Sequence, residues 1–103
     1  MRTYSCRPGT INAQLKLYQD YGMKPQQRHL GQPYFYCVTE TGTINTFVHI
    51  WQYKDAADRA TRRAAMMADP EWQEYMRRSG ELGALVSQAN QIMTPAAFFT
   101  PKG

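Results

Sequence analysis

The stretch Thr46-Phe47-Val48-His49-Ile50-Trp51-Gln52-Tyr53 decides the fold. Phe47, His49, Trp51 and Tyr53 alternate with Val48 and Ile50, the period of two that sends successive side chains of a β-strand to opposite faces. Both sets are apolar or aromatic. A sheet that met water on one side would alternate apolar with charged residues. This strand therefore belongs to a sheet covered on both faces.

Working outward, residues 33–41 hold Tyr34, Phe35, Tyr36, Val38, Thr39 and Thr41, the β-branched and aromatic content of a preceding strand, broken by Gly42. Residues 2–6 form a first strand that ends at the turn pair Pro8-Gly9, and residues 85–93 alternate again as a last one. Between the first two strands, Ile11, Leu15 and Tyr18 recur at helical spacing behind Thr10, a residue suited to capping the first turn, and Gly22 is expected to stop that helix. Residues 24–31 read either as loop or as further helix, placing Arg28 and His29. Downstream, Asp55 and Asp58 open a second helix whose Ala57, Ala60, Ala64 and Met67 form a narrow face suited to close approach to a sheet. Its exposed side carries the i,i+4 pairs Asp55–Arg59 and Asp58–Arg62. Asp69-Pro70 ends it and starts a short third helix with Trp72, Tyr75 and Met76 on its apolar edge, closing near Gly80 and Gly83. In the irregular tail, residues 94–103, Phe98 and Phe99 are expected to pack on something, a partner chain included.

The order β, α, β, β, α, β points to an α+β domain of ferredoxin-like βαββαβ type: a four-stranded antiparallel sheet with helices on one face and the first and third strands in the middle. The 103 residues make one domain, 1–103, with no repeat, linker or run of apolar residues long enough for a membrane span. Hydrophobic content of 43% excludes a disordered chain, and the net charge of +4 is spread over helices that also carry acids, the pattern of a solvated face. Cys6 and Cys37 lack any paired spacing and read as small core residues of a reduced, cytoplasmic protein. The alanine-rich helix is expected to take the Val48/Ile50 face, which leaves Phe47, His49, Trp51 and Tyr53 on the open one. An aromatic face of that size is expected to be buried by a second copy, giving a homodimer.

An ordered set of short motifs carries a family resemblance. Arg2-Thr3-Tyr4 with Arg7-Pro8-Gly9-Thr10, then Arg28-His29-Leu30-Gly31 and Val48-His49-Ile50-Trp51-Gln52-Tyr53, resembles the NIPSNAP family. Arg62-Arg63-Ala64, Asp69-Pro70-Glu71-Trp72 and Leu85-Val86-Ser87-Gln88 continue the match, which covers nearly the whole chain. The resemblance implies a dimeric α/β barrel, two ferredoxin-like sheets closing on each other with helices outside. It implies no firm chemistry, and Tyr34-Phe35-Tyr36 stands where the family often has an aliphatic-rich second strand.

His49, mid-strand among aromatics, is the main candidate for chemistry, as a general acid or base or as a hydrogen-bonding group to a small aromatic or carbonyl-bearing ligand in the barrel cavity. Its expected neighbours are Arg2 and Tyr4 from the first strand, Tyr36 from the second, Trp51 on its own strand and Gln88 from the fourth. Arg2 suits an anionic group, since a guanidinium binds a carboxylate through two parallel hydrogen bonds. An interior histidine is also common as a satisfied core residue, and a non-catalytic dimeric scaffold is the alternative. His29 and His49 have no ligand partners at metal-binding spacing, and no nucleotide or hydrolase motif is present, so neither metal nor cofactor is expected. The RNA-recognition motif shares the element order, but the segment before Phe47 holds no Lys or Arg. Nucleic acid and membrane are not expected partners.

Overall fold

A computed structural model describes residues 1–101. Strands β1 (Arg2–Cys6), β2 (Phe35–Val38), β3 (Thr46–Ile50) and β4 (Leu85–Asn90) form one antiparallel sheet in the order β2-β3-β1-β4. The first and third strands occupy the centre, as right-handed crossovers require. The helices α1 (Ile11–Leu17), α2 (Met23–Leu30), α3 (Ala56–Ala68) and α4 (Pro70–Leu82) complete a ferredoxin-like α+β fold. Strands β2, β3 and β4 are each shorter than the sequence pattern indicates, although single backbone bonds from Tyr34 to Ile50, Thr39 to Thr46 and Gln91 to Met1 continue the pairing at their ends.

The sheet's two faces are set by register. Arg2 pairs with His49 and Asn90, Tyr4 with Phe47 and Gln88, and Tyr36 with His49. Directly opposed residues share a face, so Arg2, Tyr4, Tyr36, Phe47, His49 and Gln88 lie together. This is the face the helices cover, and the expectation that it stands open for a second copy is overturned. Trp51 packs in one buried cluster with Tyr18 from the first helical region, Leu30 from α2, Met66 from α3, and Trp72 and Tyr75 from α4. Val48 and Ile50 face the other way, half-buried, beside Thr3, Phe35, Cys37 and Ala89.

The cause lies in the helices. Ala57, Ala60, Ala64 and Met67 of α3 are exposed, contrary to the expected packing face, and the helix instead turns Arg59, Arg63 and Met66 inward. With Tyr18, Trp72 and Tyr75 beside them, the helices present large side chains, and large rings from the sheet fill the wide gap that results. Small aliphatics would have left it empty, at a cost in lost contacts.

Gly22 does not stop the first helix. The chain stays helical from Ile11 to Leu30 through a widened π-turn at Tyr18–Gly22, where Met23 N–H reaches Tyr18 O. A Cβ at Gly22 would stand 2.9 Å from ring atoms of both Tyr18 and Tyr75, so glycine is there to admit the α4 tyrosine. The wide turn also accommodates Pro25, which has no N–H to give the helix ladder. The true stop is Gly31, with φ of 80°. Thr10 caps differently than expected: its hydroxyl donates to Arg7 O at 2.6 Å and accepts nothing from the first turn.

The α3 and α4 starts follow the sequence pattern. Asp55 accepts from Asp58 N at 2.7 Å, and Asp69 accepts from Glu71 N at 2.9 Å beside Pro70 in the first turn. Asp58 pairs with Arg62 at 2.8 Å, whereas Asp55 and Arg59 form no ion pair among the described residues. Asp69 also takes His29 Nε2 at 2.7 Å and Arg28 at 2.8 Å, tying α2 to the α3–α4 corner. Cys6 is buried, but Cys37 is exposed on edge strand β2, not a core residue. Phe98 is almost fully exposed within the protomer.

Candidate functional site

Between the helices and the sheet lies a cavity of about 510 Å³. Its floor is the helix-covered sheet face. The rings of Tyr36, His49, Tyr4 and Phe47 lie side by side and nearly parallel: Tyr36–His49 centroids are 4.7 Å apart at 16°, and Tyr4–Phe47 5.1 Å apart at 12°. Such cross-strand stacking of flat rings in register fixes each in place. The roof comes from Tyr18, Arg63, Met66, Trp72, Tyr75 and Ser79. The cavity therefore belongs to a single protomer, not to a barrel interior between two sheets, because the aromatic strand face turns toward its own helices.

Of the residues picked from sequence, Arg2, Tyr4, Tyr36, His49 and Gln88 all line this cavity. Trp51 does not. It sits behind the histidine, and its Nε1–H donates to His49 Nδ1 at 2.6 Å. That bond fixes the tautomer: with Nδ1 accepting, the proton of the neutral ring is on Nε2. His49 is only 3% exposed, and burial, then the Arg2 cation, holds its pKa down to about 4. At neutral pH it is an uncharged ring whose Nε2–H has no acceptor within the described residues. Such a group donates a hydrogen bond. It is not a free base.

The Tyr18, Tyr36 and Tyr75 phenols lining the cavity do not supply a base either. Burial pushes Tyr36 and Tyr18 far above the ordinary phenol range and Tyr75 up to about 12, so all stay protonated near neutrality. Tyr75 Oη accepts from Gln14 at 2.9 Å, and Tyr18 donates to Gln26. Trp72 Nε1 is the one buried side-chain polar atom among the described residues without a hydrogen-bond partner.

Charge is uneven along the cavity. Arg2 and Arg63 line it, and no Asp or Glu does. Arg2 donates to Tyr4 Oη at 3.2 Å. Burial, then the nearby Arg2, lowers Arg63 below the usual guanidinium range, with a Tyr53 hydrogen bond partly opposing. The acids interleaved with Arg59, Arg62 and Arg63 predict a solvated helix face for Arg63 as well. The contrary signal was present: Arg62 has Asp58 four residues before it, whereas Arg63 has Arg59, Ala60, Met66 and Met67 at those spacings. Trp72 and Tyr75 were legible as an apolar helix edge, but nothing marked which cavity that edge would roof. Among the described residues no group of three His, Cys, Asp or Glu side chains could hold a metal.

A sequence model of the NIPSNAP family matches residues 1–100. A crystal structure of a NIPSNAP family protein of unknown function from Agrobacterium tumefaciens is 40% identical, with a TM-score of 0.88, covering 98% of this chain and 89% of that one. An uncharacterised NIPSNAP-like domain protein from Burkholderia xenovorans is 38% identical at a TM-score of 0.88, covering 97% of this chain and 85% of that one. A NipSnap homolog of Dictyostelium discoideum is 29% identical over 79 residues, 77% of this chain and 34% of that protein. This chain thus spans about a third of the length of that curated relative.

Proposed function

The chain belongs to the NIPSNAP family, and from that premise we propose that it is a homodimeric binder of a small aromatic or carbonyl-bearing molecule, held in the cavity of each protomer. The observation that carries this reading is His49. A neutral imidazole, locked by Trp51 with its Nε2–H unpartnered, stands on a floor of parallel aromatic rings beside an open volume. A core histidine kept only for packing would have both nitrogens bonded. The floor suits a flat apolar body, and the Nε2–H suits a carbonyl oxygen. If the occupant reacts, His49 acts by polarising that carbonyl as a donor, since its depressed pKa makes it a poor acid or base near pH 7.

Dimerisation is assigned to the opposite sheet face. Phe35, Val48 and Ile50 leave an apolar surface on β2 and β3 that no helix of the protomer covers. A second copy meeting it sheet to sheet closes the barrel that the family resemblance implies. A cytoplasmic setting fits the two unbridged cysteines, and no helix among the described residues is long and apolar enough to cross a membrane.

The test is a titration with acetophenone, a neutral aromatic ketone, followed by tryptophan fluorescence and by the ¹⁵N shifts of His49. Saturable binding of one molecule per protomer, with a shift at Nε2, is expected. The His49→Phe variant should keep its circular dichroism and lose the binding. No saturation in the wild type, or equal binding by a folded His49→Phe variant, sinks the reading.

A further inference from the structure

The guanidinium groups of this protein fall into two sets. Arg28, Arg62, Arg77 and Arg78 each have a carboxylate within 3.2 Å, all on the surface. Arg2, Arg7, Arg59 and Arg63 have none among the described residues; Arg7 instead donates to the Gly83 and Leu82 carbonyls, and of these four only Arg2 and Arg63 line the cavity. They reach it from different elements, Arg2 from the start of β1 and Arg63 from the inner side of α3. Two cations sharing a partly water-excluded space repel one another more than they would in water. Among the described residues no Asp or Glu lines the cavity to offset this. Two further groups at the cavity, His49 Nε2–H and the buried Trp72 Nε1–H, are donors without acceptors among the described residues, whereas the remaining polar lining groups such as Ser79, Ser87 and Gln88 are uncharged.

From this surplus of donors and positive charge we infer that the occupant of the cavity carries a carboxylate, bound by Arg2 and Arg63, with a carbonyl oxygen on the same molecule accepting from His49 Nε2. The ligand class is a small carbonyl compound bearing a carboxylate, as in an aryl 2-oxo acid. The inference rests on the cavity reading above and adds the charge of the ligand and the role of Arg63 in selecting it. Register supports the pairing of functions. Arg2 lies directly opposite His49, so a carboxylate held by the one sits within a few ångströms of the other, the separation of adjacent oxygens in a 2-oxo acid. At the far end, two residues or about 6.6 Å along β1, Tyr4 leads toward uncharged Tyr75 and Ser79, which suit the apolar or hydroxylated remainder.

The experiment compares benzoylformate with benzoylformamide, which has the same shape and no charge, on the full chain, its Arg63→Met variant and its Arg2→Met variant. The wild type should bind the carboxylate at least roughly tenfold more tightly than the amide, the worth of one charge-assisted hydrogen bond. In each variant that preference should collapse to about twofold or less, while amide affinity holds and so reports an intact cavity. Equal binding of the two compounds by the wild type, or a preference retained in both variants, overturns the inference and leaves the cavity reading standing. Failure of both compounds to bind the wild type removes both together.

Discussion

The two faces of the sheet are built from alternate residues of the same strands, yet they do opposite things. On one side Tyr4, Tyr36, Phe47 and His49 stack under a helical roof and border a cavity with unpaired donors. On the other, Thr3, Val48, Ile50 and Ala89, with Phe35 at the edge strand, make a mostly aliphatic surface that no helix among the described residues covers. The rings pack against Tyr18, Trp72 and Tyr75 where helix and sheet meet closely, and the cavity lies beside that contact, between the rings and the polar groups of β4 and α3. Small β-branched side chains make a smooth face that another smooth face can meet. The difference therefore lies in cover: one face is roofed by helices that leave a cavity, the other is left apolar and unroofed among the described residues.

The largest expected effect tests the open face. Val48→Asp places a charge at its centre, and burying that charge against a second sheet costs several kcal/mol. Sedimentation should show a folded single protomer at concentrations where the wild type is paired. A dimer that survives the substitution would move the interface elsewhere.

The covered face makes the next prediction, through pH. His49 is held at about 4 against an ordinary 6.5, so between those values the unfolded chain binds a proton that the folded chain refuses. Its neutral state leaves stability undiminished above about pH 6.5, and stability is lost as pH falls toward 4, by about 3 kcal/mol in total. Denaturant unfolding across this window should show that slope in the wild type, with a flatter one in His49→Phe. Parallel slopes would mean that the imidazole takes up its proton in the folded state.

Gly22→Ala probes the roof. The added methyl meets the rings of Tyr18 and Tyr75 at 2.9 Å. Overpacking of that kind costs about 1–3 kcal/mol, partly offset by the roughly 1 kcal/mol that alanine gains over glycine in a helix. A net loss of up to about 2 kcal/mol in thermal unfolding is expected, with dimerisation unchanged. The smallest effect is that of Trp51→Phe, which removes one buried hydrogen bond worth about 1 kcal/mol. Its clearer signature is spectroscopic. The ¹⁵N shifts of His49 should report a mixture of tautomers in place of the Nε2–H form.

Much of this architecture is legible in the sequence alone. The alternation in residues 46–53 gives β3, and Asp55, Asp69 and Pro70 mark two helix starts to the residue. Arg2, Tyr4, Tyr36, His49 and Gln88 could be grouped because alternation and strand order together place them on one face. What misled was the alanine stripe of α3. Its spacing is that of a packing face, but a helix can bury any stripe its neighbours can fill, and here the neighbours are Tyr18, Trp72 and Tyr75. Gly22 misled for a related reason: glycine serves helix ends and close helix contacts alike, and only the position of Tyr75, more than fifty residues away, tells which.

The sequence by itself determined the four strands, the starts of α3 and α4, the order of elements and the two alternating sides of each strand, because these follow from local periodicity and backbone preference. Only the tertiary structure decided which side the helices took, and with it where the cavity lies, which histidine nitrogen is free and that Arg63 faces inward beside Arg2. Those outcomes depend on how side chains from distant segments share one volume, and no spacing along a single strand or helix records the shape of its partner.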